Sequence, residues 1–196
     1  MPALPASIAR PLAAFAMAST TLPALAHPGH EVASLASGLA HPLGGLDHLL
    51  AMVAVGLFAA RQQASARWTP PATFVLAMLA GAALSAAGIA LPAVETGIAA
   101  SVLVLGLLVA CLVRLPLGAA LPLVASLALF HGHAHHAEMG DGSVFAYSLG
   151  FALATTALHV AGFFLARSLP DTRSGRLAMR LGGGGIAGVG LALLGG

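Results

Sequence analysis

The chain contains no lysine, and charged residues of every kind fill only 7% of its 196 positions. A soluble domain of this length needs a charged surface of roughly a quarter of its residues. That surface is missing, so the exterior must meet lipid. The net charge of +2 comes from arginines in the connecting segments, and no basic patch points to a nucleic-acid partner. Cysteine occurs once, as Cys111 inside an apolar run, which excludes a disulfide framework and a thiolate metal site. The phosphate-binding pattern GxxxxGK[ST] is absent, so the chain carries no ATPase motif of that kind, and the HExxH pattern is absent as well.

What is present is apolar: 59% of residues are hydrophobic and the mean hydropathy is +0.96. Residues 1–26 read as a secretory signal peptide, with Arg10 ahead of the stretch "PLAAFAMASTTLPALA" and its small-residue ending Ala24-Leu25-Ala26. Cleavage there leaves His27 as the new terminus and residues 27–196 as the mature domain. Six apolar segments follow, at residues 34–60, 72–91, 94–113, 117–136, 143–166 and 177–196. Each is near the length that crosses a bilayer as a helix with its backbone groups satisfied internally. The expected fold is an all-α membrane protein, a six-transmembrane-helix bundle. The first segment is too long for one straight span, and Pro42, Gly44 and Gly45 should break it.

Charge placement orients the bundle. Arg61, Arg67, Arg114, Arg167, Arg173, Arg176 and Arg180 all fall at the end reached after the odd-numbered segments. The positive-inside rule makes that end cytoplasmic, with both mature termini periplasmic and the protein in the bacterial inner membrane. Of nine histidines, only His159 lies deep in a segment; the rest gather toward the outer side, as do Glu31, Asp47, Glu95, Glu138 and Asp141. Small residues should carry helix contacts: Ala77, Gly81 and Ser85 in the second segment, and Gly184 and Gly188 in the sixth, whose run Gly182 to Gly185 also invites local unwinding.

Two constellations carry chemistry. The first, "HPLGGLDHLLAM", places His41, Asp47 and His48 at the start of a span, where an ionisable side chain costs several kcal/mol unless paired or solvated. The second, "FHGHAHHAEMGD", puts His131, His135 and Glu138 on one helical face, while His133 and His136 point elsewhere. Imidazoles and carboxylates without thiolate suit nickel, cobalt, zinc or iron(II). Asp47 serves either as a ligand or as the partner that fixes the His48 tautomer; the spacing does not separate these roles. His159, with Thr155 and Ser148 above it, reads equally as a step on an inward path or as a hydrogen-bonded core histidine. "HPGHE" at the exported terminus would offer the His27 amine and imidazole as a metal antenna, with Pro28 blocking further amide ligation.

These blocks, in this order and together with the six apolar segments, resemble the HupE/UreJ family, nickel permeases associated with hydrogenase and urease maturation. The resemblance spans essentially the whole mature chain. It implies a metal path formed by His41, Asp47 and His48 in one motif and by His131, His135 and Glu138 in the other. The cargo it implies is Ni(2+) or Co(2+), moved from periplasm to cytoplasm with no permanent cofactor and with a functional link to hydrogenase or urease maturation machinery. One position departs from the family pattern: His136 stands where a glycine is expected, adding one more potential ligand. The competing reading is an intramembrane zinc hydrolase, with His41, His48 and His135 as ligands and Glu138 as general base.

Overall fold

Seven helices carry residues 32–196, the part of the chain described by this computed structural model. They are α1 (Leu35–Gly44), α2 (Leu46–Ala59), α3 (Thr69–Ala86), α4 (Val94–Ala110), α5 (Leu117–Ala137), α6 (Val144–Ser168) and α7 (Arg173–Gly195). Among the described residues the β contact is one isolated bridge, Ala33 to Gly142. The signal segment and the His27 terminus lie outside the described residues.

The expected break in the first segment falls at Gly45, whose extended backbone (φ −102°, ψ 121°) ends α1 and begins α2. The two helices meet at 88°, so α1 does not continue the line of α2. Ser34 and Ser37 cap the start of α1 reciprocally, each side chain accepting from the other's backbone N–H. Pro42, inside the last turn of α1, removes a helical donor just before the bend.

Among the described residues, four helices are long and apolar enough to cross a membrane: α3, α5, α6 and α7, of 18, 21, 25 and 23 residues. The bent pair α1–α2 makes a fifth if counted as one span. Helix α4 is shorter, at 17 residues, so length alone supports four or five of the six expected crossings. Its ends have local causes: Ala93 before it and Leu112 after it are both left-handed (φ 52° and 54°). Helix α3 starts earlier than its apolar run because Pro70 and Pro71 occupy its first turn, where a missing N–H costs nothing. It stops ahead of Gly88, which adopts φ 74°.

The main helix pairs are α3 with α5, α4 with α7, and α6 with both α1 and α2. Lipid offers no hydrophobic drive between helices, so close backbone approach decides these contacts. At Gly132 on α5, an added methyl group would run into the backbone carbonyl of Met78 on α3. At Gly56 on α2 it would strike the carbonyl of His159 on α6. Gly81 fits the expectation for α3 by lying against Leu129. The expectation for α7 needs correcting. That helix runs unbroken through Gly182 to Gly185, and its contact with α4 is made by Gly183, Ala187 and Gly190. Gly184 and Gly188 face open space, because burying the 183/187/190 stripe against Gly106 turns them away.

Candidate metal site

The bend at Gly45 decides the geometry of the outer end. On a continuous helix His41 and His48 would stack along one face; here α1 swings His41 over the end of α5. Its Nε2 lies 3.3 Å from Glu138 Oε2, and its ring centroid lies 4.6 Å from that of His135. Glu138 is the C-cap of α5. The hydrogen bond from His41 holds its carboxyl below the ordinary value of 4.5, so it is ionised at neutral pH.

One turn further in, the side chains of His48, His131 and His135 converge, with one ring nitrogen from each within 4.8 Å of the others. All three are buried. His135 belongs equally to the outer group of His41, His135 and Glu138, whose ligand atoms satisfy the same limit. The two triads therefore share one imidazole.

Hydrogen bonding fixes which nitrogens face the cluster. Asp47 Oδ1 accepts both the backbone N–H of His48 and its ring Nδ1–H, each at 2.7 Å. His48 Nε2 is left as a bare lone pair with no hydrogen-bond partner among the described residues. On α4, the hydroxyl of Ser101 donates to the Ile98 carbonyl at 2.7 Å, so its oxygen accepts from His131 Nε2 at 2.6 Å. His131 Nδ1 is then the free lone pair. Both nitrogens of His135 are without hydrogen-bond partners among the described residues, its ring lying 3.6 Å, centroid to centroid, from Phe151. His48 and His131, each held by a hydrogen bond at one ring nitrogen with the other turned to the cluster, have the arrangement usual for imidazoles that ligate a divalent transition metal, and His135 joins them held by packing alone.

All six sequence-predicted residues thus meet at one end of the bundle, with Asp47 placed behind His48. The remaining two histidines of α5 lie apart, as their helical angle requires. His133 Nε2 is tied to the α3–α4 connection at Ile89 O (3.0 Å) and Leu91 N (3.3 Å). His136 Nδ1 pairs with Ser85 of α3 at 3.1 Å, so the extra imidazole at this position is engaged away from the cluster. Sequence reasoning misses Ser101 and Phe74 and places Glu95 only on the outer side. Ser101 orients His131 from 30 positions away. Glu95 lines, with Ser37, His41, Asp47, His48 and Glu138, an open cleft of about 500 Å³ leading to the triads. Phe74 packs against His131, with ring centroids 5.6 Å apart.

A multi-pass helical membrane protein with a buried imidazole cluster under a carboxylate-rimmed cleft is the class defined so far. Comparison with known proteins narrows it. Residues 15–193 match the family described as HupE / UreJ protein. The chain is also similar to Protein HupE of Rhizobium leguminosarum bv. viciae, 45% identical over 181 residues that cover 91% of this chain and 94% of that one. The chain belongs to the HupE/UreJ family. No solved structure matches it. Members of the family are accessory metal permeases rather than enzymes, and the zinc-hydrolase reading finds no support in these comparisons.

Proposed function

We propose that the chain is an inner-membrane permease that carries Ni(2+), with Co(2+) as a competing cargo, from periplasm to cytoplasm for metalloenzyme maturation. The observation that carries this reading is the sharing of His135 between the two triads. An ion held by His41, His135 and Glu138 can pass to His48 and His131 by exchanging ligands around one shared imidazole. Multi-site binding of this kind allows both entry and exit, because no single site has to be deep. In this reading residues 1–26 are a cleaved signal, α4 is a short sixth crossing, both mature termini are periplasmic, and the cleft faces the periplasm. The arginines between α2 and α3, after α4 and around the α6–α7 connection then lie on the cytoplasmic side, as the positive-inside rule requires. Hydrogenase or urease maturation machinery would be the consumer of the metal.

The test is uptake of radiolabelled nickel into proteoliposomes that contain only this chain. Accumulation above that of empty vesicles is expected, with cobalt competing at similar concentration and magnesium not competing. Absence of uptake by correctly inserted protein would refute the permease reading. Equal competition by magnesium would refute an imidazole-lined path.

A further inference from the structure

His159 is the histidine that the outer site leaves unused. It lies on α6, is 1% exposed, and neither ring nitrogen has a hydrogen-bond partner among the described residues. A core histidine kept for structure would be hydrogen-bonded, since a buried polar group left unpaired costs about 1–3 kcal/mol. Its surroundings are ordered in a telling way. Phe74 of α3, fully buried, touches both His159 and His131, with ring centroids 5.2 Å and 5.6 Å away. One turn outward from His159 on the same helix, the buried hydroxyl of Thr155 lies 3.3 Å from the sulfur of Met52 and 3.7 Å from that of Met78. Met52 is one turn inward from His48 on α2, and Met78 is one turn outward from Phe74 on α3. Three helices thus bring two thioethers and a hydroxyl to the level between the histidine triad and His159.

We propose that His159 and the sulfurs of Met52 and Met78 together form an inner metal site, with the Phe74 ring standing between His159 and the triad. The inference rests on the permease reading for its purpose but not for its test. Imidazole takes nickel and other late transition metals, thioether sulfur favours soft ions such as copper(I), and neither suits magnesium or calcium, which require oxygen. The step beneath the carboxylates would therefore act as a chemical filter as well as a conduit.

Equilibrium dialysis of the purified full-length protein in detergent against nickel ions tests this directly. Two classes of site are expected in the wild type, the tighter at the triad. His159→Ala should lose the weaker class and keep the tighter within about twofold, whereas His48→Ala should weaken the tighter class by well over tenfold. Met52→Leu combined with Met78→Leu, a swap that conserves volume, should weaken only the inner class, severalfold. This pair guards against a His159 variant that fails to fold. A single class in the wild type, retention of both classes in His159→Ala, or loss of both in a variant that still unfolds at the wild-type temperature would overturn the inner site. Two classes without nickel uptake in proteoliposomes would refute the permease reading and leave the inner site standing.

Discussion

Asp47 offers the sharpest test of how the cluster is held. One of its carboxylate oxygens takes two hydrogen bonds from the same residue, from the His48 backbone and from its ring, both at 2.7 Å. The ring bond fixes the tautomer that turns Nε2 toward His131 and His135. In Asp47→Ala the imidazole is free to rotate and to place a proton on Nε2, where it no longer ligates. Loss of such an outer partner lowers metal affinity by about 10–100-fold, or about 1.4–2.8 kcal/mol. Asp47→Asn keeps an acceptor oxygen but not the charge, and a neutral hydrogen bond is about half as strong. Its loss should therefore sit near the tenfold end. His48→Ala removes the ligand itself and should exceed both. Nickel titration in detergent against a competing chelator gives the three constants on one scale. The reasoning is refuted if Asp47→Ala binds as the wild type does. Equal losses in Asp47→Ala and His48→Ala would instead make Asp47 a ligand in its own right.

Other expectations follow from the same geometry. Ser101→Ala strips the acceptor from His131 Nε2–H and should weaken nickel binding by about tenfold with little change in membrane accumulation, as an outer-shell loss does; unchanged affinity would show that Phe74 packing alone orients the ring. His133→Ala should leave uptake nearly intact while lowering the unfolding temperature, because it releases the α3–α4 connection at Ile89 and Leu91. Complete loss of uptake in that variant would contradict the assignment of His133 to the scaffold. Gly132→Val drives a side chain into the Met78 backbone and should reduce folded protein in the membrane, read as a lower yield of monodisperse material after extraction. Normal yield would mean that α3 and α5 can separate without cost.

The sequence reveals some of these features and hides others for physical reasons. The apolar segments and the break near Gly45 are legible because lipid length and backbone chemistry act locally. The shared face of His131, His135 and Glu138 is legible for the same reason: one helix sets it. Helix ends are less legible: α3 begins at Thr69, ahead of prolines that a hydropathy reading skips, and α4, which starts at Val94 as expected, stops at Ala110 before left-handed Leu112, which no composition rule announces. The meeting of His41 with Glu138 depends on an 88° bend whose existence is local but whose direction is set by packing on α6. Ser101 carries no local signal at all; a serine in an apolar helix acquires meaning only when α4 is laid beside α5. On α7, sequence reasoning picked a spacing of glycines that was right in kind and wrong in phase, because the buried stripe is chosen by the partner helix.

The distribution of charge along the path suggests where selection ends and conduction begins. Asp47, Glu95 and Glu138 all line the open cleft, and the Glu138 side chain is 50% exposed. Below them the groups facing the proposed path are neutral: imidazoles, a hydroxyl and thioethers. A dication is thus attracted and partly compensated at the rim, where water still screens it, and then handed to ligands that bind by coordination rather than by charge. Deep carboxylates would hold the ion too firmly for release, since a buried opposite charge is strongly coupled to it. Capture at scarce nickel should therefore depend on ionic strength, which weakens exposed charge interactions beyond roughly 8–10 Å. Glu138→Gln removes one rim charge while leaving His48, His131 and His135 in place. It should raise the nickel concentration for half-maximal uptake, spare the maximal rate, and flatten the salt dependence. A Glu138→Gln protein with the wild-type salt response would show that the carboxylate acts only through His41, and that the rim does not attract the ion by charge.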